Sequence, residues 1–258
     1  MAEYNIYGCR VNNMRLSRIF VEQALQEGVQ IQLDTNSAHY VKNVLRLKTG
    51  ASIALFNGQD FYDFKSLLSY EGKRVMAAIQ NRTGRNTESI LHTEIIQGLS
   101  RNDHMDWTIQ KCTELGVTRI SVFNGNHSQI PLKAAQQEKR LLHWRNIAIK
   151  ACEQCGRHIP PQIDFQPTLY EVLNAESSRA LKILLSFEGE SLRSDIADKN
   201  SVDGVTVLLG PEGGLSQAEI ESAQDAGYLA RRLGPRVLRT ETAAATALAI
   251  LQYIHGDI

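Results

Sequence analysis

Two hydrophobic patterns follow one another along the chain. Up to residue 83 the apolar runs have strand length, with Asn57-Gly58 after the run 52–56 and a Glu-Gly turn between the runs 61–68 and 74–79. Apolar runs joined by Asn-Gly or similar turns are typical of β-hairpins. Residues 14–83 are therefore predicted to form a small β-barrel, preceded by an N-terminal tail at 1–13. The polar stretch 81–89 has no periodicity and indicates a linker.

From residue 90 onwards, strand-like runs alternate with helical periodicity. The pattern predicts strands at 91–97, 117–123, 181–186, 205–209 and 228–233, and helices at 103–115, 133–155 and 242–253. Gly116 and Gly156 follow the first two helices directly, as C-terminal glycines commonly do. Such alternation predicts an α/β domain over 84–258, with a mostly parallel sheet covered on both faces. The last helix is apolar nearly all round, which predicts deep burial or a place in a dimer interface.

Two strand-to-helix connections carry unusual sequences. The first reads Gly-Pro-Glu-Gly-Gly over 210–214, and Ser216 and Glu219 after it have the spacing of a helix capping box. The second spans 233–243 and holds two arginines. The first does not have the spacing of the common phosphate-binding loops. Strand ends are where α/β proteins bind ligands, so the two loops predict one pocket, although a glycine pair alone is explained equally well by a tight turn.

The distribution of charge and the lengths of the apolar runs limit which partners and which cellular location the sequence predicts. The 28 Lys and Arg residues balance the 28 Asp and Glu residues, but 19 of the basic and 13 of the acidic ones lie in residues 1–150. This basic portion fits a polyanionic partner, and solvated surface charge is the alternative. The longest apolar run, 243–251, is too short to span a membrane, and no signal peptide opens the chain, so a cytoplasmic protein is expected.

The four cysteines are expected to be free thiols. The spacing of Cys152, Cys155 and His158 suggests a metal site. No second close pair completes the ligand set, because Cys9 and Cys112 are isolated. Packing in the hydrophobic core explains the cysteines better, and no bound metal is expected.

The two loops together resemble the signature of the bacterial 16S ribosomal RNA uracil-N3 methyltransferases, which belong to the trefoil-knotted SPOUT superfamily. Segments 14–20, 109–117 and 151–157 resemble the same family, so the likeness covers residues 14–258. It implies S-adenosylmethionine as cofactor and N3 of a uridine in the 16S ribosomal RNA of the small subunit as target. It also implies a PUA-like RNA-binding barrel, a knotted C-terminal domain and a homodimer. The chain departs from the family pattern at Ala51 and at Asn126-His127.

The resemblance assigns a cofactor site to the strand ends. Glycine backbone can approach a cofactor closely because no Cβ intervenes, and neighbouring apolar side chains can wall its adenine. The predicted cofactor-binding residues are Leu185, Ser186, Gly210, Glu212, Gly213, Gly214, Leu233, Gly234, Val237, Leu238 and Arg239.

Methyl transfer to a uracil nitrogen requires loss of the imide proton, and the catalytic candidates are Glu212 and Arg239. As the favoured base, Glu212 requires a pKa raised by partial desolvation. It is explained equally well as a partner of loop amides or a counter-charge to the cofactor. Arg239 is predicted to stabilise charge on the uracil oxygens or to grip a phosphate. Glu241 is the second acid, and a salt bridge to Arg239 is its alternative role.

Basic side chains in both domains are candidate RNA contacts, chiefly to phosphates. They are Arg15, Arg18, Lys42, Arg46 and Lys48 in the predicted barrel, and Arg101, Lys111, Arg145 and Arg157 in the second domain. Two further functions stay open. One is a non-catalytic RNA-binding ribosome assembly factor, and the other is a methyltransferase of the same fold that acts on a ribose hydroxyl or on transfer RNA.

Overall fold

The computed structural model describes residues 16–175, 181–192 and 202–258. The chain divides into two compact units, Met1–Asn86 and Thr87–Ile258. The predicted tail at 1–13 and the candidate RNA contact Arg15 lie outside the described residues. Within the described ranges, every helix is too short or too polar to cross a bilayer.

The first unit is built on a five-stranded sheet. Its strands are β1 (Ser17–Phe20), β2 (Gln30–Gln32), β3 (Ser52–Phe56), β4 (Asp63–Glu71) and β5 (Arg74–Thr83). They lie in the order β1-β3-β4-β5-β2, with β1 parallel to β3 and all other neighbours antiparallel. Helix α1 (Thr35–His39) and a π-helical turn (Tyr40–Val44) lie between β2 and β3, and the Asp34 side chain caps α1.

Both predicted hairpins are present in this sheet. β3 pairs with β4 and β4 with β5, and Gly72 makes the second turn with a φ of +63°. Alternate side chains, including Ile53, Leu55 and Phe64, form a buried core. β5 continues to Thr83, which pairs with β4. Residues 81–83, predicted as part of a linker, are therefore strand, because β4 supplies hydrogen-bond partners that the local sequence does not reveal.

The second unit contains six parallel strands. They are β6 (His92–Gly98), β7 (Arg119–Phe123), β8 (Gln162–Gln166), β9 (Leu181–Ser191), β10 (Gly204–Leu209) and β11 (Leu229–Arg232). Their order is β11-β9-β10-β6-β7-β8, and every described pair is parallel. The prediction of an α/β fold with a mostly parallel sheet is confirmed. β8 was not predicted, although its sequence Gln-Ile-Asp-Phe-Gln alternates polar and apolar residues, because the run is only five residues long.

Helices cover both faces of this sheet, as predicted. They are α2 (Asn102–Glu114), α3 (Ala134–Cys155), α4 (Leu169–Ala175), α5 (Gln217–Asp225) and α6 (Thr240–His255). Ile109 of α2, Trp144 of α3 and Leu248 of α6 are buried in one core. Val172 of α4 and Ala223 of α5 are buried in another, with strand residues that alternate with those of the first.

The last helix is buried along one face only. Ala244, Ala247 and Leu248 are buried, whereas Tyr253 is 76% exposed. Cys112 and Cys152 are buried, as the core-packing interpretation predicted, and burial raises the pKa of the Cys112 thiol to about 12. Over the described ranges, no group of three or more His, Cys, Asp or Glu side chains is arranged to hold a metal ion.

Candidate active site at the carboxyl edge of the second sheet

Three neighbouring strands end at one edge of the second sheet. β11, β9 and β10 lie side by side and run parallel, so the segments that follow them meet at their carboxyl ends. We call residues 210–216 the glycine-rich loop and residues 233–239 the arginine loop. In open parallel sheets, ligands bind at this edge.

The middle strand of these three, β9, bulges where it passes the site. Leu184 on β9 pairs with Ala230 on β11, but pairing resumes only at Glu190. Leu185 and Ser186 belong to this bulge and are half-buried. The edge therefore gathers every residue predicted to bind a cofactor, although they are spread over more than 50 positions of sequence.

The glycine-rich loop is fastened to a strand and a helix. Gln97 at the end of β6 is fully buried, and its Nε2 lies 2.9 Å from Thr240 Oγ1 and 3.1 Å from the Gly210 carbonyl oxygen. Thr240, the first residue of α6, donates its hydroxyl to the same carbonyl at 2.9 Å. One buried amide therefore joins β6, the glycine-rich loop and the start of α6.

A second set of contacts reaches this loop from the segment after β7. Asn126 donates its backbone N–H to Glu219 Oε1 at 3.0 Å and its side-chain amide to Ser216 Oγ at 2.8 Å. His127 donates from Nδ1 to the Gly213 carbonyl at 3.1 Å. Ser216 and Glu219 form a capping box at the start of α5, which confirms that prediction. The loop is thus held by its neighbours on both sides.

The Glu212 carboxylate binds the start of α2. Its Oε1 accepts hydrogen bonds from the Arg101 backbone N–H at 2.9 Å and from His104 Nδ1 at 3.0 Å. Arg101 is the N-cap residue of α2, and its own side chain makes no capping hydrogen bond. Glu212 therefore supplies, from a distant loop, the acceptor that the acid of a capping box would supply within the helix.

These contacts set the direction of the Glu212 pKa. Partial burial raises this pKa, but hydrogen bonds from the Arg101 amide, from its own backbone amide and from His104 outweigh burial and hold it below its ordinary value. A general base at neutral pH needs the opposite shift. The expectation of a raised pKa at Glu212 is therefore wrong, and the alternative, a carboxylate that binds amides, agrees with the observed contacts.

The glycines at this edge divide into two kinds. A Cβ on Gly210 would lie 2.7 Å from the carbonyl carbon of Gly214, and one on Gly213 would lie 2.8 Å from His127 Cβ. At Gly214, with a φ of +73°, and at Gly234, with a φ of +138°, no atom lies within 4 Å of that position. Packing within the chain therefore explains Gly210 and Gly213, and only the other two leave room for a ligand.

The arginine loop is held far more loosely. Its backbone N–H and C=O groups from Leu233 to Leu238 form no hydrogen bond within the described parts of the chain. Leu233 and Leu238 are half-buried, and Val237 is 84% exposed. Arg239 is exposed and forms no ion pair with any described residue, so the predicted salt bridge to Glu241 does not form. This loop keeps its polar backbone groups available.

A second acid stands beside the Glu212 contact. Glu241 is buried in the first turn of α6, and its Oε2 has no hydrogen-bond partner among the described residues. That oxygen lies 3.8 Å from His104 Nδ1, the atom that donates to Glu212. The two carboxylates therefore differ: the hydrogen-bonding capacity of one is used, and the other keeps an oxygen without a donor.

The predicted RNA contacts within the described residues differ in exposure. Arg18 is buried against Asp63 and lies over the Phe56 ring, and Arg157 is buried in an ion pair with Glu88. These two arginines are paired in the interior, so their prediction as surface RNA contacts was wrong, because local sequence does not show which charge is covered. Lys111 is half-buried and pairs with Glu114. The exposed candidates are Lys42, Arg46, Lys48, Arg101 and Arg145.

Five residues that hold the site were not among the predicted ones. They are Gln97, His104, Asn126, His127 and Thr240. Gln97 is a polar residue at the end of an apolar strand, which is a detectable signal. Thr240 lies within the second motif itself. The others gain their roles only from loops that are distant in sequence.

Known proteins resemble this chain over nearly its whole length. The family profile of an RNA methyltransferase domain matches residues 87–252. A ribosomal RNA small subunit methyltransferase E from Buchnera aphidicola subsp. Schizaphis graminum is 32% identical over 244 residues, which cover 95% of this chain and 98% of the relative. The protein of the same name from Bacillus subtilis is 28% identical, with 94% of this chain and 100% of the relative covered.

Solved structures agree with these relatives. A methyltransferase from Legionella pneumophila, solved with the bound cofactor SAM, is 34% identical with a TM-score of 0.88, covering 95% of this chain and 100% of that one. A ribosomal RNA small subunit methyltransferase E from Neisseria gonorrhoeae, bound to S-adenosyl methionine, is 33% identical with a TM-score of 0.83, covering 94% and 99%. This chain therefore belongs to the RNA methyltransferase family that includes ribosomal RNA small subunit methyltransferase E.

Proposed function

We propose that this protein transfers a methyl group from S-adenosylmethionine to N3 of a uridine in the 16S ribosomal RNA of the small ribosomal subunit. The observation that carries the proposal is the meeting of the β9 bulge, the glycine-rich loop and the arginine loop at one sheet edge. Relatives named as small-subunit ribosomal RNA methyltransferases, one solved with S-adenosyl methionine, support the same activity. The choice of N3 rests on the motif resemblance.

The residues at this edge fit such a cofactor. Free backbone N–H and C=O groups from Leu233 to Leu238 suit the donors and acceptors of an adenine ring, and half-buried Leu185 offers an apolar wall. Gly214 and Gly234 leave room for a close approach. When bound, the cofactor supplies an electrophilic methyl group. Ser186 lies in the same bulge as Leu185 and completes the proposed contacts.

The protein itself has to hold the uracil and accept its N3 proton. Glu241 is the better acceptor, because its Oε2 has no donor, whereas Glu212 Oε1 already accepts two hydrogen bonds. Glu212 is a positioning residue that holds the glycine-rich loop against α2. Arg239 is exposed and forms no ion pair with a described residue, so it is free to stabilise negative charge on the uracil oxygens.

RNA recognition and assembly complete the proposal. The first unit acts as a PUA-like RNA-binding barrel, on which exposed Lys42, Arg46 and Lys48 contact phosphates. The second unit is a trefoil-knotted domain that forms a homodimer. A second subunit would cover the large apolar side chain of Phe187, which is 56% exposed in the β9 bulge. The protein acts in the cytoplasm and requires no metal.

Paired substitutions test the division of roles between the two acids. Glu241→Gln should slow methyl transfer by about a hundredfold or more, the usual contribution of a general base. Glu212→Gln should stay within about tenfold of wild type, because the amide oxygen still accepts both hydrogen bonds. Single-turnover transfer to small-subunit RNA at saturating cofactor measures both rates, and calorimetric titration checks that each variant binds S-adenosylmethionine.

Other outcomes would contradict the proposal at separate points. If methyl transfer is slow in Glu212→Gln and normal in Glu241→Gln, the general base is Glu212 and not Glu241. RNA binding without methyl transfer by the wild type would identify an assembly factor. A methyl group found on ribose, by mass spectrometry of the product nucleosides, would contradict transfer to the base.

A further inference from the structure

A cleft of about 820 Å³ lies between the start of α2, the loop after β7 and the first half of α3. Its size falls in the range of about 300–1,000 Å³ that is common for ligand sites. None of the residues predicted to bind the cofactor lines it. The cleft is therefore a feature of the second unit that is distinct from the proposed cofactor site.

Positive charge dominates this cleft. The titratable groups along its lining are Arg101, Asp103, Lys139, Arg140 and His143. Three of them are permanent cations, whereas Asp103 is the one carboxylate of the lining. His143 is paired at 2.9 Å with Asp106, which is not part of the lining. The cleft therefore carries a positive excess in a chain whose net charge is zero.

The two arginines are held by neutral partners. Arg101 donates from Nε to Gln129 Oε1 at 3.1 Å, and Arg140 donates from Nη2 to Asn102 Oδ1 at 2.7 Å. An amide oxygen orients a guanidinium without cancelling its charge, and the remaining N–H donors stay available for an anion. Lys139 forms no ion pair within the described residues. Oriented and uncompensated cations are what a phosphate requires.

One wall of the cleft is apolar. Leu99, Ile130 and Pro131 line it, and Ile130 is 80% exposed. Single-stranded nucleic acid combines a charged backbone with flat apolar bases, and the grooves that bind it combine cations with apolar contacts. The cleft offers both kinds of surface within one volume.

The cleft also adjoins the methyl-transfer site. β10, β6 and β7 are successive parallel neighbours, so their carboxyl ends follow one another along the same sheet edge. Arg101 lines the cleft with its side chain, and its backbone N–H binds Glu212 of the glycine-rich loop. We infer that this cleft binds a single-stranded RNA segment next to the target nucleotide, through its phosphodiester groups. The inference rests on the proposed function, which supplies an RNA substrate.

A charge reversal on α3 tests this inference in the full-length protein. Lys139→Glu should weaken binding of a labelled small-subunit RNA fragment by about tenfold at low salt, and the slope of log affinity against log salt should fall by about 0.7 per lost phosphate contact. The methylation kcat/KM should fall by the same factor while cofactor affinity stays constant. Lys150→Glu is the control for the same charge change on the same helix outside the cleft. Lys150 pairs with Glu153 at 2.6 Å, so thermal unfolding checks that this variant stays folded.

A second variant keeps the test independent of folding effects. Arg140→Gln removes charge but keeps an amide that can donate to Asn102, and it should weaken RNA binding severalfold. RNA binding by both variants at the level of Lys150→Glu would overturn the inference. The inference would also be overturned if weaker RNA binding were accompanied by a change in oligomeric state, measured by analytical ultracentrifugation. The cleft would then be a contact between protein subunits. Absence of methyl transfer by the wild type would instead overturn the proposed function, and the RNA titrations would still decide the role of the cleft.

Discussion

The glycine-rich loop and the arginine loop follow β10 and β11, the two strands that flank β9, and carry two parts of one signature, but they are held in opposite ways. In the first, the Gly210 carbonyl accepts from Thr240 and lies within reach of Gln97, and the Glu212 carboxylate is bound to α2. In the second, backbone groups from Leu233 to Leu238 have no partner within the described chain. The same sheet edge therefore combines a loop that hydrogen bonds hold in place with a loop whose backbone groups are free to bind a ligand.

The difference in hydrogen bonding assigns the two loops different roles, one in the stability of the fold and the other in ligand binding. A loop whose polar groups are already paired cannot offer them to a ligand, but it holds its neighbours in one geometry. A loop with free backbone groups contributes little to stability and gains partners when a ligand arrives. We therefore expect substitutions in the glycine-rich loop to act mainly on folding, and those in the arginine loop to act mainly on cofactor affinity.

The largest effect is expected at Gly210. Gly210→Ala should lower the free energy of unfolding by about 3 kcal/mol, because its Cβ would lie 2.7 Å from backbone that cannot move freely. Gly214→Ala, in the same loop, should cost about 1 kcal/mol, because only its positive φ is unfavourable and the space is open. Urea unfolding monitored by circular dichroism measures both. Equal losses of unfolding free energy in the two variants would show that the backbone around Gly210 can move to accept a Cβ.

A smaller effect is expected at Glu212. Glu212→Ala should cost about 1 kcal/mol of stability, because the start of α2 loses its acceptor, whereas Glu212→Gln should cost less. The Glu212 pKa is lowered from an ordinary value of 4.5, so its contribution is present above that pH and is lost as the pH falls below it. The stability difference between wild type and Glu212→Gln should therefore shrink on acidification. A difference that grows at low pH would contradict the lowered pKa.

The smallest effect on stability is expected in the arginine loop. Val237→Ala should change the free energy of unfolding by less than about 0.5 kcal/mol, because the side chain is 84% exposed. The Kd of Val237→Ala for S-adenosylmethionine should rise severalfold, because the arginine loop is proposed to line the cofactor. Ile90→Ala, equally exposed at 80% and away from the site, is the matched control for calorimetric titration. Unchanged affinity in Val237→Ala would remove its side chain from the cofactor site.

Local features of the fold were predictable because their causes are local. The capping box of Ser216 and Glu219 and the end of α3 at Gly156 follow from interactions within a few residues. β8 was missed because an alternation of only five residues is a weak local signal, and its partner strand β7 lies about 40 positions earlier in the sequence. The burial of Arg157 was missed for a similar reason, since its partner Glu88 lies 69 positions away.

The sequence by itself determined the α/β class, most of the helices and strands, and which two loops carry the signature, because periodicity, caps and turn residues act over short distances. Only the tertiary structure decided what each acid at the site can do. Glu212 owes its lowered pKa to Arg101 and His104, which are 111 and 108 positions away in sequence. Hydrogen bonding and burial act over a few ångströms of space, so the chemistry of a carboxylate is set by neighbours that only folding brings to it.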